Sequence, residues 1–197
     1  MNFYKEGSFN RSYTQFLGDI KEYNGENSNY SKILNVLRSF IPRSLKFKDI
    51  DSLINYVETY SEVLTVDLKT SGTTGEAKKI KQKVSNLIRH VKKTDTNLIW
   101  GFCYSPIHIA GIQVLLQILL NKNTLVYLFE KDFTKIENEI YSKKVTNISC
   151  TPTFMKMLLP NLKRDYKLNK VTFGGERLNN YIVDKLKEAV PGVKVRN

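Results

Sequence analysis

From about residue 60 onward, short runs rich in β-branched and aromatic residues alternate with longer amphipathic segments, and this alternation constrains the fold most. Strands that alternate with helices build parallel sheets with crossover helices. The sequence therefore predicts an α/β fold with a doubly wound, mainly parallel sheet. The expected strands span residues 63–68, 97–103, 124–129, 145–150 and 170–173. The expected helices span residues 84–93, 109–121, 133–143, 152–160 and 178–190.

The beginning and the end of the chain follow different patterns. YSKILNVLRSFI and DIDSLINYVETY place apolar residues at helical spacing, and no stretch of the first 60 residues has a strand pattern of comparable strength. We therefore expect a helical N-terminal segment over residues 1–62, followed by an α/β domain over residues 63–197. The last residues, VKVRN, have the pattern of a further strand, which predicts that this chain is part of a larger domain.

Charge and composition narrow the classes of function. The chain has 31 Lys and Arg against 19 Asp and Glu, a net charge of +12 that favours anionic ligands. Nucleic acid is an alternative partner, but the basic residues are spread along the chain and few aromatic residues lie between them. No apolar run approaches the roughly 20 residues of a membrane span, and the N-terminus lacks the apolar core of a signal peptide. The sequence therefore predicts a cytoplasmic protein without a membrane partner.

The two cysteines provide no functional signal. Cys103 and Cys150 lie in apolar stretches, without the CxxC or Cys/His spacing of a metal site. We expect two buried free thiols and no metal site formed by this chain.

The segment TSGTTGEAKK, from Thr70 to Lys79, has the composition of a phosphate-binding loop. It follows the expected strand at 63–68, and ligands of open α/β sheets lie outside the carboxyl ends of strands. Its glycines permit close backbone approach to an anion, and its hydroxyls and lysines add donors and charge. The segment does not match the Walker A pattern G-x-x-x-x-G-K-[ST]. Counted from Gly72, Ala77 occupies the position of the second glycine and Lys79 that of the Ser or Thr. A flexible turn without a ligand is the remaining alternative.

The same segment resembles the phosphate-binding signature of adenylate-forming enzymes, the superfamily of acyl-CoA synthetases, adenylation domains and luciferases. Its usual form is Thr-Ser-Gly-Thr-Thr-Gly-x-Pro-Lys, and residues 70–78 match this form except at Ala77. The early position of the loop is similar to that in the short o-succinylbenzoate-CoA ligases. The resemblance implies that Thr74 and Lys78 are catalytic, within a phosphate clamp that comprises Thr70, Ser71, Gly72, Thr73, Thr74, Gly75 and Lys78.

Three further segments occur in the order of this family. YSPIHIAGIQVLLQILL (104–120) resembles the segment beside the acyl pocket, which implies that His108 lines that pocket. The alternative is a histidine that begins the helix and is satisfied by the backbone. VTNISCTPTFMKMLLP (145–160) is similar to a strand and helix of these enzymes. KVTFGGERLN (170–179) resembles the strand end beside the adenine and the acyl group. There Gly174 and Gly175 are candidate ligand-binding residues or a plain turn, and Glu176 faces the adenine or begins the next helix.

The resemblance implies an ATP-dependent ligase that activates a small-molecule carboxylate as an acyl-adenylate, with Mg²⁺, and passes it to coenzyme A. The family's Tyr-Gly-x-Thr-Glu motif, whose glutamate binds Mg²⁺, and its catalytic lysine do not occur in these 197 residues. The resemblance therefore implies that the remaining part of the enzyme is a partner and that this chain by itself is inactive. The alternative function is an inactive module that binds phosphate, a nucleotide or a protein.

Overall fold

A computed structural model describes residues 1–70, 78–94, 97–129 and 132–197, and in these residues it confirms the α/β fold. The strands there are β1 (Asn2–Glu6), β2 (Phe9–Ser12), β3 (Thr65–Thr70), β4 (Lys78–Lys83), β5 (Ile99–Phe102), β6 (Thr124–Tyr127), β7 (Asn147–Cys150), β8 (Lys170–Phe173) and β9 (Lys194–Arg196). The helices are α1 (Tyr13–Glu22), α2 (Ser28–Arg38), α3 (Ile50–Thr59), α4 (Val84–Ile88), α5 (Ile109–Leu120), α6 (Phe133–Ser142), α7 (Pro152–Leu158) and α8 (Asn180–Ala189).

The main sheet of the described residues has seven strands in the order β2-β1-β6-β5-β7-β8-β9. Every neighbouring pair is parallel except β1 and β2. After β5 the chain runs outward to β6 and then returns across β5 to β7, β8 and β9. The strand order therefore reverses between β5 and β7, as in doubly wound sheets.

Hydrophobic clusters cover both faces of this sheet. On one face, Trp100 and Phe102 of β5 belong to a cluster with α5 and the N-terminal helices. On the other face, Ile148 and Val171 belong to a cluster with α6, α7 and α8. Both faces of the central strands are therefore buried, which explains why these strands are short apolar runs.

Short polar side chains define where several helices begin. Ser12 accepts a hydrogen bond from the Gln15 amide, and the Gln15 side chain accepts one in return from the Ser12 amide. Asp132 accepts a hydrogen bond from the amide of Lys135, and this hydrogen bond lowers the pKa of the Asp132 carboxyl. Such caps satisfy amides that have no partner within the helix.

The N-terminal segment contains the expected helices, α1 to α3, but the expectation that it lacks a strand is wrong. β1 pairs in parallel with β6, and Phe3 and Tyr4 are fully buried. The hydroxyl of Tyr13 donates a hydrogen bond of 2.7 Å to the carbonyl of Asn123. β1 is short and finds its partner about 120 residues away, so local periodicity does not reveal it. The boundary between residues 62 and 63 stays a prediction, although both parts contribute to one sheet.

The first strand of the expected α/β domain does not join the parallel sheet, so its predicted place was wrong. β3 pairs with β4 in a separate antiparallel hairpin, where Thr70 lies opposite Lys78 and Leu68 lies opposite Ile80. The lysine-rich sequence KKIKQK of β4 gave no strand signal. The apolar side of the hairpin packs into the cluster that contains α5, through the buried Leu68 and its neighbour Val66.

The remaining helices and strands agree with the expected ones, with shifted ends. The largest change is at α4, where the expected helix over 84–93 contracts to Val84–Ile88. Cys103 and Cys150 are buried free thiols, as predicted, and burial raises the pKa of both. Among the described residues, no helix is both long and apolar enough to cross a membrane.

A buried carboxylate joins α6 to the segment that precedes β8. Glu137 is 5% exposed and accepts a hydrogen bond of 2.5 Å from the hydroxyl of Tyr166. The Arg164 guanidinium lies 3.3 Å from the same carboxylate oxygen. The Tyr166 oxygen also accepts a hydrogen bond from the amide of Lys163. The Tyr166 hydroxyl is therefore a hydrogen-bond partner of both the Glu137 carboxylate and the Lys163 amide.

We expect Tyr166→Phe to lower the free energy of unfolding by about 1–3 kcal/mol, because it leaves both groups without this partner. Glu137→Gln, the control, should cost less, since its amide oxygen can still accept the hydrogen bond. Burial, and then the hydrogen bond to Glu137, raise the pKa of Tyr166 to about 12. Because this value exceeds the ordinary value of about 10, the contribution of Tyr166 is complete below pH ~10 and lost as the pH rises toward ~12. Urea unfolding of the native chain and both variants at several pH values measures these effects.

Candidate functional site

The candidate site lies where the strand order reverses, outside the carboxyl ends of β5, β7 and β8. Tyr104 follows β5, Thr151 follows β7, and Gly174 follows β8. Parallel strands bring these three strand ends to one edge of the sheet. In open α/β sheets this edge holds the ligand crevice.

Two glycines leave the end of β8 open to this crevice. Gly175 has a φ of +82°, a conformation that side chains disfavour, so glycine is required there. Gly174 has no such constraint, and a Cβ placed on it would approach the Tyr104 hydroxyl only to 3.6 Å. The missing side chain therefore leaves space beside the backbone. Such space suits the close approach of a flat ligand group.

The Tyr104 side chain reaches from β5 toward the end of β8. It is 9% exposed, and burial raises the pKa of its hydroxyl, an effect that the nearby Ser149 hydroxyl partly opposes. Tyr104 is therefore a neutral hydroxyl at ordinary pH. Its hydroxyl is a hydrogen-bonding group beside Gly174, at this edge of the sheet.

Glu176 joins the loop after β8 to the beginning of α7. Its carboxylate accepts hydrogen bonds of 3.0 Å from the Thr153 amide and 2.6 Å from the Thr153 hydroxyl. These bonds lower the pKa of the Glu176 carboxyl. Of the two alternatives for Glu176, a place at the beginning of the next helix does not hold, because α8 has Asn179 as its N-cap; a place facing the adenine stays a prediction. Glu176 instead accepts a hydrogen bond from a backbone amide in the first turn of α7, which would otherwise have no partner within the helix. This helix has Thr151 as its N-cap and Pro152 as its first residue.

His108 stands at the entrance to α5, on the same edge of the sheet. It is the N-cap residue, but its side chain makes no capping hydrogen bond and is exposed. Its neighbours Ile107 and Ile109 are also exposed, by 43% and 48%. The position of His108 at the beginning of the helix therefore gives its imidazole no hydrogen-bonding role in capping. Its predicted place beside an acyl group stays a prediction.

The predicted phosphate loop is described only at its two ends. The backbones of Thr70 and Lys78 lie opposite each other in the β3–β4 ladder. Ser71, Gly72, Thr73, Thr74 and Gly75 lie outside the described residues. The hairpin thus joins the two ends of the candidate loop, whereas the phosphate-binding roles of Thr70, Thr74, Lys78 and the residues between them stay predictions.

The family model for AMP-binding enzymes matches residues 68–197, a range that includes the loop, the crevice and every strand from β4 to β9. The chain belongs to the AMP-binding enzyme family. The Gly174–Gly175 strand end and the predicted loop both lie within the matched range.

Curated relatives of this AMP-binding chain include 2-succinylbenzoate–CoA ligases. The ligase of Staphylococcus epidermidis is 27% identical over 125 residues, which cover 59% of this chain and 26% of the relative. The Staphylococcus aureus ligase is 28% identical over 124 residues, covering 58% of this chain and 25% of the relative. The chain therefore spans about a quarter of the length of the curated relatives it matches.

Solved structures share the fold of this AMP-binding chain. VinN in complex with L-aspartate aligns with a TM-score of 0.69 at 18% identity, over 99% of this chain and 70% of VinN. The o-succinylbenzoate coenzyme A synthetase (MenE) of Bacillus subtilis, in complex with AMP, aligns with a TM-score of 0.53 at 22% identity, over 66% of this chain and 34% of that protein. The alignment with VinN includes the N-terminal hairpin and helices, which the sequence resemblance matched only weakly.

Sequence reasoning missed four residues that shape the crevice of this AMP-binding chain: Tyr104, Ser149, Thr151 and Thr153. The Thr-Pro dipeptide after a strand signals a helix N-cap, so Thr151 could have been found. The other three acquire their roles through contacts between segments that are remote in sequence, which no local pattern reveals. Within the described ranges, no group of three or more His, Cys, Asp or Glu side chains is arranged to hold a metal ion.

We expect Thr153→Val to raise the pKa of the Glu176 carboxyl toward its ordinary value, because the hydroxyl donor is lost. Thr153→Ser keeps the donor and should keep the lowered pKa. Since a lowered pKa stabilises the folded state above the ordinary value, the contribution is present at neutral pH and lost as the pH falls through the folded pKa. Carbon-13 NMR titration of the Glu176 carboxyl measures both variants. An unchanged pKa in Thr153→Val would contradict the arrangement.

Proposed function

We propose that the protein containing this chain is an ATP-dependent ligase that forms an acyl-adenylate from a small carboxylate and transfers the acyl group to coenzyme A. The family match over residues 68–197 carries this proposal, because one matched range includes both the loop and the crevice. The curated relatives named above are CoA ligases, and the MenE structure is in complex with AMP. These names support the reaction class and do not extend to the identity of the carboxylate.

Each candidate residue has a distinct role in the proposed reaction. The hydroxyls and amides of residues 70–75, with Lys78, would neutralise the β- and γ-phosphates as pyrophosphate departs. The Gly174–Gly175 backbone would pack beside the adenine, since it is open on the crevice side. The Thr153–Glu176 contact would keep this backbone in place. His108 would line the acyl side, and a bound Mg²⁺ would balance phosphate charge.

Exchange of labelled pyrophosphate into ATP tests the proposal directly. The protein containing this chain is supplied with Mg²⁺, ATP and a panel of carboxylates that includes 2-succinylbenzoate. We expect exchange that depends on one class of carboxylate, followed by a thioester when coenzyme A is added. We propose further that the 197 residues alone do not support exchange, because they span only about a quarter of the matched ligases. Carboxylate-dependent exchange by these residues alone would overturn that part.

A binding module without chemistry is the second candidate, and the net charge of +12 favours it. Such a module should bind ATP or another polyphosphate by calorimetry without exchange activity, and the affinity should fall as salt rises. Undetectable nucleotide binding by these residues at about millimolar concentration would count against this second candidate.

A further inference from the structure

The two cysteines of the chain lie side by side at the carboxyl ends of β5 and β7. These strands are parallel neighbours, and their register pairs Gly101 with Ile148. Residues two apart in a strand point to the same side of the sheet. The same register, continued for two residues along both strands, therefore places Cys103 opposite Cys150 and on the same side. Both cysteines belong to the apolar cluster on that side, which also contains Ile148.

The spacing of the two strands suits a bond between these thiols. Earlier along the same face, a Cβ placed on Gly101 would lie only 3.0 Å from Cγ1 of Ile148, so side chains of the two strands meet there. Neighbouring strands lie about 4.8 Å apart, and the Cα atoms of a disulfide are about 4.4–6.8 Å apart. The backbone therefore already places Cys103 and Cys150 at a distance that a disulfide can bridge.

The surroundings of the two thiols favour an uncharged product. Cys103 is 4% exposed and Cys150 is fully buried, within a cluster of apolar side chains. Burial raises the pKa of both thiols, and the charge of Glu176 raises that of Cys150 further. Two thiolates that held a monovalent metal ion would bring a net negative charge into this cluster, and such a charge is costly to bury. A disulfide carries no charge.

Each cysteine is joined to a residue that shapes the crevice. Tyr104 follows Cys103, and Thr151, the N-cap of α7, follows Cys150. The Cys103 thiol donates a hydrogen bond of 3.7 Å to the Gly101 carbonyl, and because a thiol is a weak donor, the loss of this bond opposes closure only slightly. A bond between the two sulfurs would therefore link the strand ends that carry Tyr104 and Thr151.

We propose that Cys103 and Cys150 form a reversible oxidation site, in which a hydroperoxide converts the two thiols into a disulfide between the ends of β5 and β7. The sulfur of Cys103, the less buried of the two, attacks an oxygen of the peroxide. The O–O bond breaks, a sulfenic acid forms, and an alcohol or water leaves. The sulfur of Cys150 then attacks the sulfenic sulfur, and the sulfenic hydroxyl leaves with the thiol proton as water.

In this reaction the two thiols lose two electrons and two protons, and the peroxide is reduced. Thiolates are scarce in the apolar cluster, so we expect closure to be slow, on the order of hours. Cysteines that serve packing alone are the alternative, and such thiols are inert or are oxidised one at a time.

Peptide mapping of the folded protein that contains this chain tests the proposal. The protein is treated with hydrogen peroxide, its remaining thiols are alkylated, and it is digested with trypsin. We expect the peptides of residues 94–122 and 145–156 to appear joined, with two hydrogen atoms fewer than their sum, and to separate after treatment with dithiothreitol. Cys103→Ala should abolish the joined species. Alanine is used because serine would bury a hydroxyl in an apolar cluster.

A matched control moves one thiol to the other side of the sheet. Ser149→Cys combined with Cys150→Ala keeps two cysteines and shifts the second by one residue, so it no longer shares a side with Cys103. This variant should yield about tenfold less of the joined peptides, because its thiols cannot adopt disulfide geometry. Equal yields from the two proteins, or no joined peptides from the unaltered one, would overturn the proposal. Joined peptides that form only after unfolding in urea would also overturn it.

An effect of the disulfide on the crevice rests on the proposed function and has a separate readout. We expect the disulfide to slow carboxylate-dependent pyrophosphate exchange by about tenfold or more, because linking the strand ends displaces Tyr104 and Thr151. Dithiothreitol should restore exchange, and Cys103→Ala should make exchange insensitive to peroxide. Unchanged exchange in protein whose disulfide is verified by mapping would overturn this coupling. No exchange in the reduced protein would instead contradict the ligase function, and the mapping result would stand by itself.

Discussion

In the protein that contains this chain, replacing Lys78 with alanine is expected to slow carboxylate-dependent pyrophosphate exchange by roughly tenfold to a thousandfold, the scale of losing one donor to a transition state. Thr74→Val should have an effect of the same order. The physical reason is that negative charge moves onto the departing pyrophosphate, where the predicted loop supplies a cation and a hydroxyl. Initial rates at saturating ATP separate this loss from weaker ATP binding.

Two control variants isolate the effect. Lys81→Ala removes an exposed lysine from the same strand, β4, and should leave exchange within about twofold, as expected for a solvated surface charge. Thr74→Ser retains the hydroxyl and should retain most of the rate. Unchanged exchange in both Lys78→Ala and Thr74→Val would remove the loop from the proposed mechanism.

Gly111→Ala is expected to destabilise the fold by about 3 kcal/mol, the upper part of the range for overpacked cores. Gly111 is buried near the beginning of α5, and a Cβ there would overlap the backbone carbonyl of Ser105 and approach Pro106. Backbone atoms cannot rotate away as side chains can, so α5 or the segment after β5 must move. That segment carries Tyr104 and leads to His108, so the crevice should be disturbed as well.

Gly18→Ala provides a matched control within α1. A Cβ at this position would meet no atom within 4 Å, and alanine is the better helix former. We therefore expect Gly18→Ala to raise the free energy of unfolding by about 0.5–1 kcal/mol. Urea unfolding of the two variants should give changes of opposite sign. A neutral Gly111→Ala would show that the contact between α5 and Ser105 is looser than described.

Only part of the candidate site could be predicted from the sequence. Features that depend on neighbouring residues were predicted, whereas features that depend on contacts between distant residues were not. Gly174 and Gly175 could be identified as a strand end because their signal is local and lies in consecutive residues. Glu176 was placed in the correct loop, but its role at α7 depends on Thr153, which is 23 residues away. The burial of Tyr104 depends on how β5, β7 and β8 pack together. A pattern of neighbouring residues therefore could not predict it.

The sequence by itself determined the α/β class, most of the helices and the central strands, and the loop that identifies the family. These features depend on hydrophobic periodicity and on consecutive residues, which act over short distances along the chain. Only the tertiary structure decided which strands share a sheet. β1 pairs with β6 although the pattern of the N-terminal segment predicts helices. β3 pairs with β4 in a separate hairpin, outside the parallel sheet. Strand pairing depends on backbone hydrogen bonds between segments remote in sequence, and almost any extended segment can form them. The choice among partners is therefore made by the packing of the whole molecule.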